Sequence, residues 1–137
     1  IGKIQIPDSI IDKPGKLTDD EYLLIQSHVS AGTKLLENAP GISDVVRKVV
    51  GEHHERIDGS GYPNGLRGDE IPLLAQIVGG VAVYDALTSH RPYRGAWDSE
   101  QAVAFLIQET EQRRFSKSHV EAFLDVIGAA GRQAAVG

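Results

Sequence analysis

Apolar residues recur along this chain at three- and four-residue spacings, separated by stretches dense in glycine, proline, serine and asparagine; no stretch alternates as a strand would. Thr18-Asp19-Asp20-Glu21 reads as a capping box, and Leu24, Ile25 and His28 follow on one face, so a first helix is predicted from Thr18 to near His28. A second short helix is predicted through Thr33, Leu35 and Leu36, closed by Asn38-Ala39-Pro40-Gly41. Ser43 offers an N-cap for a third, in which Ile42, Val45, Val46, Val49 and Val50 have the spacing of a buried stripe. That stripe continues onto His53 and His54.

Asp58 to Asp69 is too rich in glycine for a helix and reads as a loop. Pro72 suits the first turn of a fourth helix, with Leu74, Ile77, Val78, Val81 and Asp85 on a shared face. Gly79 and Gly80 in its middle each cost about 1 kcal/mol against alanine, which predicts close packing or a ligand at both. After a loop from Ser89 to Trp97, Asp98 and Gln101 form another cap and a helix runs through Val103, Leu106 and Ile107. Ser116 opens the last helix through Val120, Phe123, Leu124 and Ile127, and the tail at 128–137 is expected to fray. The predicted class is all α.

With 137 residues and 41% of them hydrophobic, the chain suits one globular domain with a core that needs no disulfide or metal staple. Cysteine is absent, which excludes disulfides, thiolate ligands and a cysteine nucleophile and is compatible with the cytoplasm. No apolar run approaches the roughly 20 residues of a membrane span, and no signal peptide is visible. A net charge of −5 argues against broad binding to the backbone of polymeric nucleic acid, though a small anion suits a local cluster of cations. Methionine is also absent, so the chain reads as a piece of something longer, with Ile1 to Pro7 in the middle of a packed element.

His53 and His54 fall at the inner end of the third helix, and His28 points inward from another. A single inward histidine is usually a satisfied core residue, but two buried neighbouring imidazoles need two partners, and a divalent transition metal is one economical partner for all three. His90 and His119 read as surface residues without a role. Lys3, Arg91 and Arg94 are either solvated charges or a local set of cations for phosphate oxygens. The loop glycines allow backbone N–H groups to approach an anion, and Tyr62 offers an aromatic face for a base.

His53-His54-Glu55-Arg56-Ile57-Asp58-Gly59-Ser60-Gly61-Tyr62-Pro63 matches the HHExxDGxGYP motif, so the chain resembles the HD-GYP family. Ile1-Gly2-Lys3 is similar to the end of that family's HDxGK motif, Pro7 to Leu17 to its continuation, and Tyr84 to Arg94 to a further block. The resemblance implies a helical domain holding two or three iron or manganese ions, which activate a bridging water for attack on cyclic di-GMP, giving pGpG or GMP. On it, His28, His53 and His54 align with metal ligands, Lys3 with a catalytic phosphate-contacting lysine, and Arg91, Arg94, Gly61, Tyr62 and Pro63 with substrate-binding positions. It further implies docking of a GGDEF domain, the diguanylate cyclase module, at the GYP loop, and a receiver or sensor domain upstream.

Two departures accompany the resemblance. The family's His-Asp pair falls before Ile1, so residues 1–137 read as an HD-GYP domain incomplete at its N-terminus. Ala82 stands where the family places a metal-ligating aspartate, and Asp85, on the same face, is displaced by roughly 5 Å along the helix. A degenerate module that binds cyclic di-GMP or a partner domain without turnover is therefore the alternative reading. A nucleotide phosphohydrolase of the wider HD class suits the intact GYP loop less well.

Overall fold

The computed structural model describes residues 2–11, 13, 15–90 and 95–136, with the side chains of 4, 5 and 129–136 outside the description. Its ordered elements are helical, as predicted: α1 (Asp8–Ile11), α2 (Asp19–Glu37), α3 (Asp44–Glu52), α4 (Leu73–Thr88), α5 (Ser99–Glu111) and α6 (Lys117–Val136), with short 3-10 turns at Gly2–Gln5 and Gly68–Glu70. A single isolated bridge, Asp58 with Arg67, pins the glycine-rich loop and is the one β pairing among the described residues. α1 and the two 3-10 turns are too short for the apolar spacing to predict.

Local chemistry sets the starts of α2, α3 and α5. Thr18 accepts a hydrogen bond from the Glu21 N–H at 3.2 Å while its own N–H donates to the Glu21 carboxylate at 3.0 Å, closing the predicted capping box. The Asp98 carboxylate accepts from the Gln101 N–H at 2.8 Å, and Ser43 accepts from the Val46 N–H at 3.3 Å. Thr18→Ala is expected to remove about 1 kcal/mol of stability, read as a shift in a urea unfolding midpoint with unchanged slope.

Other predicted features differ. The first two helices are one, α2, which passes through His28 to Glu37 without a break. Gly32 is buried there because the Gly2–Gln5 turn crosses the helix so closely that a Cβ on Gly2 would collide with the His28 carbonyl and the Gly32 N–H. This tertiary contact outweighs the weak helix propensity of Ser30 and Gly32. The valine stripe of α3 is not buried along its length: Val45 and Val46 are 52% and 44% exposed, and Val49 and Val50, nearer the C-terminus, are half-buried.

In α4 the buried residues are Ala75 and Gly79, whereas Leu74, Ile77, Val78, Val81 and Asp85 are exposed. At Gly79 the neighbouring backbone comes too close for any side chain, and with Ala75 and Gly79 inward the predicted apolar face is turned outward. Pro72 caps α4 and lies just before its first turn. The backbone of α6 is helical through Val136, past the point where composition predicts fraying.

The core sits where α4, α5 and α6 meet. Leu106, Phe115 and Val120 are buried together, with Val83, Tyr84, Phe123 and Leu124 packed around them. α2 packs on α3 and on the Gly2–Gln5 turn, and α3 packs on α4, so the histidine in α2 and the pair just after α3 are brought together beside this core.

Candidate metal centre

His28 projects from the middle of α2 and is 5% exposed. Its Nδ1 lies 2.5 Å from the Ile25 carbonyl, and His53 Nδ1 lies 3.0 and 3.1 Å from the carbonyls of Val49 and Val50. A carbonyl only accepts, so both rings carry their proton on Nδ1 and leave the Nε2 lone pair free. His54 Nε2 meets His28 Nε2 at 3.1 Å.

One ligand atom from each ring can be chosen so that all three lie within 4.8 Å of one another. Burial lowers the pKa of His28 and His53, and that of His54 falls to about 3, first through burial and then through the charges of His53 and His28. All three rings are therefore neutral at pH 7, the protonation state that a metal requires. The 3.1 Å between the two Nε2 atoms is in the range, roughly 3 to 3.5 Å, of neighbouring nitrogens on one ion at about 2.1 Å from each. These donors fit a divalent transition metal.

Lys3 lies at the edge of this cluster, lining one cavity with His28, Val49, Val50, His53 and Val78, and its charge contributes to the lowered pKa of all three histidines. Ala82 lies one turn beyond Val78 on the same face of α4, and its methyl group offers a cation nothing. Asp85 is exposed and contributes no atom to the three-histidine group. Arg91 and Arg94 lie outside the described residues.

The glycine-rich loop closes over the cluster. Tyr62 stacks on His54 with ring centroids 4.8 Å apart and planes 13° apart, and Tyr22 meets Tyr62 edge-on at 6.1 Å. One face of Tyr62, read from the sequence as a surface for a base, is therefore turned to His54. Burial raises the Tyr62 hydroxyl to about 12. The Tyr62–Pro63 peptide is cis, Pro63 is exposed, and Gly61 lies against the backbone of residues 54–56 with no space for a Cβ.

The HD domain family matches residues 1–118, most of the chain. A cyclic di-GMP phosphodiesterase of Pseudomonas aeruginosa is 47% identical over 103 residues, 75% of this chain and 25% of that protein. The cyclic di-GMP phosphodiesterase response regulator RpfG of Xanthomonas campestris is 46% identical over 125 residues, 90% of this chain and 33% of that protein. The chain belongs to the HD-GYP family of HD domains.

A solved HDG"Y"P protein of Bdellovibrio bacteriovorus shares its fold, with a TM-score of 0.73 and 20% identity over 93% of this chain and 40% of that one. A 3'3'-cGAMP-specific phosphodiesterase of Vibrio cholerae is 40% identical over 126 residues, 91% of this chain and 24% of that protein. The HD-GYP chain thus spans about a quarter to a third of the length of these curated relatives.

Two residues outside the candidate ligand set, Gly79 and Arg56, support the HD-GYP site from below. Gly79 faces the end of α3, where an added Cβ would stand 2.6 Å from the His53 carbonyl, whereas one on Gly80 would meet Phe115 at 3.9 Å, ordinary contact. Only Gly79 therefore answers the prediction that both glycines are demanded by close packing. Arg56 donates to the carbonyls of His53 at 3.1 Å and Glu55 at 2.9 Å and lies over the Phe115 ring at 4.5 Å. Its adjacency to the histidine pair was the available signal.

His119, read as a surface residue, is half-buried and lines the small apolar cavity between α4 and α6; its Nδ1 is buried with no partner among the described residues. Its packing on the far side of α4 was not visible from local spacing. His90 is exposed, as expected.

Proposed function

We propose that this domain is the catalytic unit of a cytoplasmic, metal-dependent phosphodiesterase that hydrolyses cyclic di-GMP to pGpG, GMP or both. The observation that carries the reading is the convergence of His28, His53 and His54, neutral and with a ligand atom of each within 4.8 Å of the others, beneath the GYP loop. Several curated relatives are named as phosphodiesterases of cyclic di-GMP.

In this reading the three imidazoles hold divalent iron or manganese, in a site of two or three ions. Bound ions neutralise phosphate charge and acidify a water molecule. Lys3, at the rim of the histidine cavity, supplies a cation to a phosphate oxygen, and Arg91 and Arg94 supply guanidinium forks to the same ligand. The backbone at Gly61 and the exposed Pro63 border the dinucleotide, and the loop also forms the docking face for a GGDEF domain. A receiver or sensor domain upstream controls the unit.

Ala82 favours a second reading, a degenerate module that binds cyclic di-GMP or a partner without turnover, because the position beside the cluster lacks an oxygen donor. Ala82→Asp is expected to raise iron or manganese content per chain by elemental analysis; unchanged content would remove this position from the site. The deciding experiment is turnover of cyclic di-GMP by the parent protein, prepared anaerobically with iron or manganese and followed by chromatography. Hydrolysis that His53→Ala abolishes supports the enzyme, and no turnover from folded, metal-loaded protein supports the degenerate module.

A further inference from the structure

Glu55 is 3% exposed, among the most buried charged residues described, yet it forms none of the salt bridges among the described residues. Its carboxylate instead accepts two backbone hydrogen bonds from across the glycine-rich loop, from the Asn64 N–H at 2.7 Å on one oxygen and the Leu66 N–H at 2.9 Å on the other. A buried carboxylate held only by backbone donors is a costly arrangement unless those donors are fixed. The loop segment it grips follows directly on Tyr62 and Pro63.

On the other side of the same segment, the Tyr62 N–H donates to the His54 carbonyl at 3.2 Å and the Tyr62 ring stacks on the His54 imidazole. His54, unlike His28 and His53, has no hydrogen bond from Nδ1 to a carbonyl among those described, so its ring lacks the backbone tether that orients the other two. The stacked Tyr62 ring takes that part. We propose that Glu55 is a positioning residue: by clamping Asn64 and Leu66 it holds the loop closed, keeps Tyr62 against His54 and thereby sets the orientation of the third imidazole of the cluster.

The inference rests on the proposed metal-dependent reading only for why the orientation of His54 matters. The experiment reads that orientation itself, so loss of the clamp and loss of catalysis are distinguished. Glu55→Gln keeps the shape of the side chain but presents an N–H₂ group to one of the two backbone donors, which breaks half of the clamp. In the 137-residue chain, nuclear Overhauser contacts between the Tyr62 and His54 rings are expected to weaken or vanish, and amide exchange at Asn64 and Leu66 to quicken by about tenfold or more. Exchange at the buried Leu106 amide of α5 serves as the control for global unfolding.

Glu55→Asp, which keeps both acceptor oxygens on a shorter stem, is expected to retain part of the protection and of the ring contact. Intact Tyr62–His54 contacts and unchanged Asn64 and Leu66 exchange in folded Glu55→Gln would overturn the proposal. Should that variant fail to fold, Glu55→Asp carries the test: faster exchange confined to Asn64 and Leu66 supports the clamp, and wild-type exchange at both with altered ring contacts overturns it.

Discussion

Leu106→Ala is expected to lower stability by about 2–5 kcal/mol, measured by urea unfolding. Leu106 is 0% exposed and stands at the centre of the cluster it forms with Phe115 and Val120, ringed by Val83, Tyr84, Phe123 and Leu124. Removing its isobutyl group forfeits transfer free energy and leaves a void against three helices that cannot all close on it. Such a loss is a large share of the 5–15 kcal/mol by which a typical domain is stable. Ile107→Ala, one residue on but 44% exposed, is expected to cost much less, and equal costs for the pair would contradict the placement of the core.

Gly61→Ala is expected to be the most damaging change of a single methyl group near the histidines. A Cβ there would stand 2.5 Å from the Glu55 Cα and still closer to the Arg56 nitrogen and the His54 carbonyl oxygen. All three are backbone atoms, so no side chain can swing aside, and the loop must lift from the segment that carries His54. A cost of about 1–3 kcal/mol is expected, with loss of the Tyr62–His54 ring contact in aromatic proton spectra. Gly80→Ala is the matched control: its nearest neighbour would be Phe115 at 3.9 Å, so it is expected to be neutral or to gain up to about 1 kcal/mol from helix propensity. Wild-type stability and spectra for Gly61→Ala would show that the loop does not lie where described.

The all-helical class, the capped starts at Thr18, Ser43 and Asp98, and the candidate ligands His28, His53 and His54 were all legible in the amino-acid order, as was the HHExxDGxGYP resemblance. Caps are legible because they depend on residues three apart whose hydrogen bonds close within one turn. The adjacent histidines were legible because they sit directly after a helix whose phase can be counted. What those histidines do with a ring from α2 is a different matter: His54 and His28 are 26 residues apart, and no local spacing specifies the 3.1 Å between their nitrogens.

Tertiary packing decided the features that were read wrongly. α2 runs unbroken because the Gly2–Gln5 turn presses on Gly32, and α4 turns Gly79 inward because the end of α3 leaves no space for a side chain there. A periodicity count ranks Leu74 and Val78 above glycine for burial, since it knows hydrophobicity and not the distance to the next backbone. The role of Glu55 was hidden for the same reason, as its partners Asn64 and Leu66 lie across a loop whose path the sequence leaves open. The sequence by itself determined the all-helical class, the capped helix starts and which residues have the chemistry to bind a cation, because those follow from hydrogen bonds and side-chain chemistry within a few residues. Only the folded chain decided which of them meet, because that depends on how closely one backbone can approach another.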